Sequence, residues 1–303
     1  MTTIRTEIRR ITRESALPVN CPVTVESVSA VSTGFVRVSV RGEGLAAYRD
    51  VWPADAFKLL LPPDGRGPVD FPVRGDDGLP FWPDGSRRPV LRAFTVRCFD
   101  PVRLRIDFDV AVHADGLAMR WVRGVEPGDV IGLAGMRHEF HAGTGVERHL
   151  MVGDSSALPA LAAIVETLSP QIPTTVYLAV AHASDTTLLA ARPHVTVHWL
   201  IGPADPCSPL PSAVRDAERP GGRTQAWLAA EAGVVRDLRR FVTDDLGVAR
   251  DDLHAAAYWK AGLDSTEVDT RALRHYQRAI EAGADVTDPD LREQVDLEAA
   301  SSD

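Results

Sequence analysis

Apolar and polar residues alternate along much of the first half of the chain. The stretch FVRVSVRG (residues 35–42) is apolar at every second position, and VRLRIDFDVAVH (102–113) alternates apolar residues with arginine and aspartate. A period of two is typical of a β-strand with one buried face. Pro- and Gly-rich turns separate such stretches, most densely over residues 62–89. We therefore predict an antiparallel barrel or sandwich, interrupted by one short helix over residues 116–124.

The pattern changes near Arg148, where continuous apolar runs begin to alternate with helical ones. The predicted strands are HLMVGD (149–154), TTVYLAV (174–180), VTVHWLIG (195–202), TQAWLAAE (224–231) and LHAAAYWKAG (253–262). Two helices are predicted between them, over residues 155–168 and 233–247, the second ending at Gly247. Runs that are apolar on both faces, separated by helices, predict a parallel sheet in an α/β domain. A further helix is predicted over residues 266–283, and the last dozen residues are predicted to be disordered.

Charge and cysteine content narrow the class of partner. The chain has 303 residues, which suffices for two domains, and a net charge of −9, so neither nucleic acid nor an acidic membrane surface is expected as a partner. Its three cysteines, Cys21, Cys98 and Cys207, are far apart and show no metal-ligand spacing. The N-terminus has no apolar signal segment, and we predict a cytoplasmic protein in a reducing compartment.

The first candidate for chemistry is the arginine-rich stretch RPVLRAFTVR (residues 88–97). Arg92 could hold a pyrophosphate through paired hydrogen bonds, and the Thr95 hydroxyl could bind a ring nitrogen of a flavin. Phe94 could lie against a ring face. A solvated edge strand explains the same residues without any ligand, so both interpretations stay open.

Two further segments could bind phosphate. The helix that begins after Gly116 offers backbone N–H groups to an anion, although it could equally serve only to close the barrel. His113 could be a surface residue, and the HEFH segment (138–141) is too short a repeat for a zinc helix. The strand–turn–helix VGDSSALPA (152–160) lies where α/β domains bind nucleotides, yet it lacks the G-x-G-x-x-G and Walker sequences. No serine lies in a G-x-S-x-G elbow, which disfavours a hydrolase.

Five segments, in chain order, resemble motifs of the siderophore-interacting proteins, a family of FAD-dependent ferric-siderophore reductases. They are LRAFTVR (91–97), DVAVHADGLAMRW (109–121), VGDSSALPA (152–160), WLAAEAGVVRDLRR (227–240) and AYWKAG (257–262). The resemblance covers about residues 20–262 and implies a ferredoxin-reductase-like fold of two domains. An N-terminal antiparallel flavin-binding β-barrel (1–146) would precede a parallel-sheet α/β nicotinamide-binding domain (147–264), followed by a C-terminal helix and acidic tail (265–303).

The resemblance also implies an activity and the residues that carry it. Electrons would pass from NADH or NADPH through FAD to a ferric siderophore, with no metal bound by the protein itself. His182 and Arg192 follow the second strand of the α/β domain, without a cluster of arginines that would select NADPH. The implied cofactor contacts are Arg92, Ala93, Phe94, Thr95, Asp109, Val110, His113, Ala118 and Met119 for the flavin, and Asp154, Ser156, Ala157 and Glu231 for the nicotinamide side. Lys58, Arg137 and Lys260 would receive the anionic substrate, with Thr95 and Lys260 as the catalytic residues.

The chain departs from the family pattern mostly at these positions. Phe94 replaces a tyrosine, Met119 a serine or threonine, and Ser155 a glutamate. Alanines at 230 and 257 replace glycines, and GMRHEF (135–140) replaces a Gly-Pro-x-Gly type of loop. Two alternatives therefore stay open: a flavoenzyme of the same fold acting on an organic substrate, as in secondary metabolism, or a binding module that has lost reductase activity.

Overall fold

The computed structural model describes residues 6–7, 10–11, 19–63, 67–76, 80–113, 116–202, 209–217, 221–263, 265–285, 291 and 294–295. The backbone divides into two compact units, residues 15–139 and residues 140–303 with 1–14, which we call the barrel unit and the α/β unit. Across the described residues, no helix is both long and apolar enough to cross a membrane.

The barrel unit is built on an antiparallel sheet. Its strands are β1 (Cys21–Ala30), β2 (Phe35–Arg41), β3 (Ala56–Leu61), β4 (Val73–Arg74), β5 (Pro80–Phe81), β6 (Val90–Thr95), β7 (Cys98–Asp100), β8 (Arg105–Ala111) and β9 (Val130–Arg137). Seven of these pair in the order β6-β3-β9-β1-β2-β8-β7, and β4 pairs with β5. The alternating residues supply the core, in which Val38, Val40 and Phe108 are almost fully buried.

Helix α1 (Leu117–Gly124) packs on the core of the barrel unit. It buries Met119, Trp121 and Val122, and the Trp121 ring stacks on Phe108 with ring centroids 6.5 Å apart. The helix ends where Val125 takes an extended backbone conformation. Its apolar side is therefore fixed by the core of the barrel unit.

The α/β unit is built on a parallel sheet. Its strands are β10 (Arg148–Gly153), β11 (Thr174–Val180), β12 (Val195–Ile201), β13 (Thr224–Glu231) and β14 (Leu253–Trp259), and its helices are α2 (Leu158–Thr167), α3 (Leu210–Arg215), α4 (Ala232–Asp244) and α5 (Ser265–Glu281). The strand order is β12-β11-β10-β13-β14. Every residue of β13 is buried, as expected for a strand covered on both faces. The carboxyl ends of β10, β13 and β14 consequently meet at one edge of the sheet.

The predicted fold class is confirmed: an antiparallel barrel-like sheet precedes a parallel α/β sheet. The prediction was wrong about where β8 begins. We expected alternation from residue 102, but residues 101–104 form a turn in which Leu104 has a φ of +50° and Val102 is 91% exposed. Most of the last dozen residues, predicted to be disordered, lie outside the described residues; of the two described there, Val295 is helical and buried.

Candidate functional site

Three of the predicted site residues share one face of the barrel unit. Ala56 on β3 pairs with Thr95 on β6 and with Arg137 on β9. Lys58 lies two residues further along β3, and cross-strand partners as well as alternate residues of a strand point to the same side of a sheet. Lys58, Thr95 and Arg137 therefore lie on one face of three adjacent strands, with Thr95 buried and the two cations partly exposed.

The other predicted residues of β6 divide between its two faces. Arg92 pairs with Leu59 and donates a hydrogen bond of 2.7 Å to the Leu91 carbonyl oxygen. Phe94 lies on the same face as Arg92, with its ring centroid 5.0 Å from that of Phe108. Ala93 lies on the opposite face and is exposed. Because β6 is an end strand of the seven-stranded sheet, its outer edge has no ladder partner within the described residues, which fits a large flat ligand along that edge.

The start of α1 is shaped by a glycine and a histidine. Gly116, the N-cap residue, has a φ of +130°, and a Cβ atom there would come within 2.9 Å of the His113 ring. Any other residue would therefore have a strained backbone, and the His113 ring would have to move. Gly116 has no side chain to cap the helix, so backbone N–H groups of the first turn suit an anion. Met119 turns its side chain into the core and Ala118 is partly exposed, which leaves the backbone as the polar contribution of both residues.

Asp109 of β8 is occupied by an ion pair within the sheet. Arg37 on β2 lies directly across from it and donates to both carboxylate oxygens, Nε to Oδ1 at 2.7 Å and Nη2 to Oδ2 at 2.8 Å. The Asp109 side chain is 1% exposed, and its neighbour Val110 is buried in the core. Asp109, predicted as a cofactor contact, is thus a buried carboxylate whose charge is balanced by Arg37 within the sheet.

Asp154 joins three strand ends of the α/β unit. Its Oδ1 accepts hydrogen bonds from the backbone N–H and hydroxyl of Ser156, and its Oδ2 accepts from the Glu231 backbone N–H at 3.0 Å and from Trp259 Nε1 at 2.8 Å. The carboxylate is almost fully buried. Asp154 therefore holds the ends of β10, β13 and β14 together and fixes the turn that carries Ser156 and the buried Ala157.

Glu231 organises the neighbouring part of the same edge. Its Oε2 caps α4 by accepting from the backbone N–H groups of Gly233 and Val234, and its Oε1 accepts from the Ala261 N–H at 3.3 Å. Lys260 Nζ lies 3.3 Å from the same oxygen. Burial by itself would raise the pKa of Glu231, but the hydrogen bonds from the backbone and from Lys260 together hold it below the ordinary 4.5. Glu231 is thus a carboxylate that fixes Lys260 at the sheet edge.

We expect Glu231→Gln to lower the free energy of unfolding at pH 7 by about 1–2 kcal/mol, since its single amide oxygen cannot accept both from the start of α4 and from Ala261 and Lys260. Because the folded-state pKa of Glu231 is lowered, its stabilisation is present above about pH 4.5 and is lost as the pH falls through the folded-state value. The difference between parent and variant should therefore shrink below that pH. Urea unfolding from pH 3.5 to 8 measures it, with Asp237→Asn, an exposed carboxylate of α4, as the control. A difference that does not change with pH would contradict this role.

Two features of the turn after β10 fit a nucleotide. A Cβ atom on Gly153 would lie 2.7 Å from the Ala157 Cβ and 2.9 Å from Leu161, so only glycine lets α2 come this close to the strand. The Ser155 hydroxyl oxygen is buried and has no hydrogen-bond partner among the described residues. A buried polar atom of this kind, at the carboxyl edge of a parallel sheet, suits a ligand that can donate to it or accept from it.

Several residues of these sites were missed by the sequence interpretation. Asp55, fully buried before β3, accepts hydrogen bonds from the Tyr48 hydroxyl and the Trp52 backbone N–H, and His138 Nδ1 lies 2.8 Å from its other oxygen. Burial raises the pKa of Asp55, although its hydrogen-bond partners counteract this effect. Trp259 lies in the motif AYWKAG, but the sequence did not indicate that it binds Asp154. The pattern of residue types could not predict the partners of Asp55 and Trp259, because these depend on strand register.

The two sheets and the matching family models together identify the class of protein. An antiparallel barrel-like sheet followed by a parallel α/β sheet defines the ferredoxin-reductase-like class, and phthalate dioxygenase reductase shares that fold with a TM-score of 0.54 at 11% identity. The model of the siderophore-interacting FAD-binding domain matches residues 24–140, and that of the siderophore-interacting protein matches residues 146–262. The chain belongs to the siderophore-interacting protein family.

Curated relatives and solved structures agree with this assignment. The NADPH-dependent ferric-chelate reductase of Escherichia coli is 30% identical over 246 residues, which cover 79% of this chain and 92% of that protein. The ferric acinetobactin reductase of Acinetobacter baumannii is 29% identical over 276 residues, 88% of each chain. The siderophore-interacting protein of A. baumannii superimposes with a TM-score of 0.73 at 26% identity, covering 86% of this chain and 99% of that one.

Proposed function

We propose that this protein is an FAD-dependent oxidoreductase that passes electrons from NADH or NADPH to a ferric siderophore and so releases Fe(II). One observation carries the proposal: both family models match in chain order, and relatives matched over most of their length are named ferric-chelate or ferric-siderophore reductases. Oxygen ligands of siderophores hold Fe(III) far better than Fe(II), so reduction releases the metal.

The barrel unit is proposed to hold the flavin. When bound, FAD supplies the step between a two-electron hydride donor and a one-electron metal acceptor. Arg92 and the N–H groups at Ala118 and Met119 would bind the diphosphate, with His113 packed over Gly116 to fix the start of the helix. Ala93, Phe94 and Thr95 would line the ring, where the threonine hydroxyl can donate to or accept from a ring nitrogen. Asp109 and Val110 would support this surface from β8.

The carboxyl edge of the α/β unit is proposed to hold the nicotinamide nucleotide. The hydroxyl of Ser155 and the backbone of Ser156 and Ala157 would supply polar contacts to the nucleotide. Asp154 would not, because both of its carboxylate oxygens already accept hydrogen bonds from residues of the sheet edge. Glu231 would act by positioning Lys260. We also propose the domain limits predicted from the sequence, which are 1–146, 147–264 and 265–303. The charge and the N-terminal sequence support a cytoplasmic location without nucleic-acid or membrane partners.

The proposed substrate contacts are Lys58, Arg137 and Lys260, whose cationic groups would orient the chelate, with Thr95 beside the transferring ring. Within the barrel unit, Lys58 shares a sheet face with Arg137. Their task is to bind and orient, because the electron transfer itself needs proximity and no covalent step.

Visible spectroscopy of the purified protein tests the proposal. We expect a yellow protein with one FAD per chain, bleached by NADH or NADPH under argon and recoloured by a ferric siderophore, with Fe(II) trapped by ferrozine. A protein that binds FAD and is bleached but ignores every ferric chelate would overturn the proposed substrate and favour an organic acceptor. A colourless protein that cannot be reconstituted with FAD would overturn the oxidoreductase.

A further inference from the structure

The start of β3 is held by a buried carboxylate. Asp55, the residue before the strand, is 0% exposed, and its Oδ2 accepts hydrogen bonds from the Tyr48 hydroxyl and the Trp52 backbone N–H. His138, which follows β9, places its Nδ1 2.8 Å from Asp55 Oδ1. Both oxygens of the carboxylate therefore have partners, and these partners come from two separate parts of the chain.

The backbone beside this carboxylate is strained. Ala54 is buried and has a φ of +62°, in the left-handed region that residues with a Cβ atom seldom adopt. The turn is closed by the Asp55 N–H, which donates to the Trp52 carbonyl oxygen at 3.3 Å. Such a conformation persists only where its surroundings fix it. The hydrogen bonds of the Asp55 side chain therefore hold this turn.

Two contacts join the turn to Thr95. The Asp55 carbonyl oxygen accepts from the Val96 N–H at 2.7 Å, and Ala56 pairs with Thr95 across the ladder. The backbone of residues 55 and 56 thus sets the position of the buried Thr95 on β6. The path from His138 to Thr95 consists of two hydrogen bonds and one short side chain.

Stability alone does not explain a polar cluster at this place. Burial raises the pKa of Asp55, although its bonds to His138, Tyr48 and Trp52 counteract this effect. Apolar side chains of similar volume commonly give equal or greater stability at buried positions, because a charge loses its hydration there. A satisfied polar network adds a fixed geometry, since it rigidifies the segment that carries it.

We infer that Asp55 and His138 are positioning residues for the flavin, which hold Thr95 at the place where its hydroxyl meets a ring nitrogen. The inference rests on the proposed function, in which Thr95 lines the ring, and adds to it two residues that act through Thr95. Because they act through the backbone of β3 and β6, their loss should affect the ring and spare the diphosphate contacts proposed at α1.

A double-mutant cycle with Thr95 tests this role. FAD binding to the apoprotein is measured by fluorescence titration in the parent, His138→Ala, Thr95→Val and the double variant. We expect each single substitution to weaken FAD binding by about fivefold, as the loss of one hydrogen bond does. The double variant should bind FAD within about twofold of Thr95→Val. A role in stability alone would lower the affinity by the same factor in both backgrounds.

The spectrum of the bound flavin and a conservative variant separate positioning from packing. The fine structure of the visible absorption band should change in the same way in His138→Ala and Thr95→Val. His138→Asn, whose amide nitrogen can lie near the position of Nδ1, should restore the parent spectrum and bring FAD affinity within about twofold. Val40→Ala, in the core of the same unit, is the matched control and should lower the Tm while changing neither readout.

Amide hydrogen exchange of the FAD-free protein gives a readout that needs no cofactor. In His138→Ala the peptide that contains Val96 should exchange at least about tenfold faster than in the parent, because its bond to the Asp55 carbonyl oxygen opens more often. Peptides from β2 and β8 should keep the rates of the parent. Equal acceleration throughout the barrel unit would indicate a general loss of stability and would overturn the inference.

The outcomes also separate the inference from the function on which it rests. If the parent binds FAD and is bleached by NADH or NADPH, but His138→Ala has the same effect with and without Thr95, the function stands and the inference is wrong. A parent that cannot be loaded with FAD overturns both. Should His138→Ala fail to fold, Tyr48→Phe takes its place in the cycle, because it removes one donor to Asp55 and keeps the ring, and the same comparison decides.

Discussion

Asp154→Ala should destabilise the α/β unit by about 3 kcal/mol or more and abolish nucleotide binding, because it removes the acceptor for several donors at once. The Glu231 N–H and Trp259 Nε1 would lose a buried partner, at a cost of about 1–3 kcal/mol each. Ser156 would lose the bonds that shape the first turn before α2, a further loss of about 1 kcal/mol.

Urea unfolding and nucleotide binding by calorimetry measure this effect. Asp237→Ala, which removes an exposed pair with Arg215 in the same unit, is the control and should cost less than about 0.5 kcal/mol. Asp154→Asn should lie between parent and alanine variant, since the amide oxygen can serve one pair of donors while its nitrogen faces the other. An alanine variant as stable as the Asp237 control would show that the strand ends do not depend on this carboxylate.

Arg37→Ala is expected to cost about 3 kcal/mol and to weaken FAD binding, because it leaves the Asp109 carboxylate buried without its counter-charge. The cost lies at the lower end for a buried pair since the Arg37 side chain is 31% exposed. An uncompensated carboxylate on β8 would also repel the diphosphate proposed to bind at α1. Fluorescence titration of the apoprotein with FAD and thermal unfolding measure the two effects.

Strand β2 supplies its own control for this experiment. Arg41 lies on the same strand and pairs with Glu26 at 3.3 Å, with 63% of its side chain exposed, so Arg41→Ala should leave stability within about 0.5 kcal/mol. Asp109→Asn should restore FAD binding in the Arg37→Ala background, because it removes the unpaired charge. If the double variant binds FAD no better than Arg37→Ala, the charge explanation is wrong and Arg37 acts through packing.

The fold could be predicted from the sequence because apolar residues recur with one dominant spacing in each half of the chain. Alternation around Val38 and Phe108 predicts strands with one buried face, and the uninterrupted run of β13 predicts a strand buried on both faces. Helix α4 was predicted from its apolar side, and its start at Ala232 follows from the cap that Glu231 provides. The beginning of β8 was misplaced because Leu104 continues the alternation in sequence while its backbone forms a turn.

The motifs located the candidate site, but they did not indicate which of its side chains form hydrogen bonds and ion pairs with each other. Register determines that Arg37 faces Asp109 and that Thr95 and Arg137 flank Ala56, and register depends on turns and bulges that residue types do not encode. Glu139 pairs with Arg137, and His138 between them binds Asp55, a residue more than eighty positions away. Such long-range pairings become visible only once the strands are placed.

The indole of Trp259 gives the α/β unit a built-in optical signal. Its Nε1 is bound to Asp154 while 42% of the residue is exposed, so the ring lies at the boundary between the sheet edge and solvent. Indole emission responds to hydrogen bonding and to nearby absorbing molecules, and the reduced nicotinamide ring absorbs where indole emits. If the nucleotide binds at this edge as proposed, the residue that helps to fasten the strand ends would also report, by its fluorescence, each arrival and departure of the electron donor.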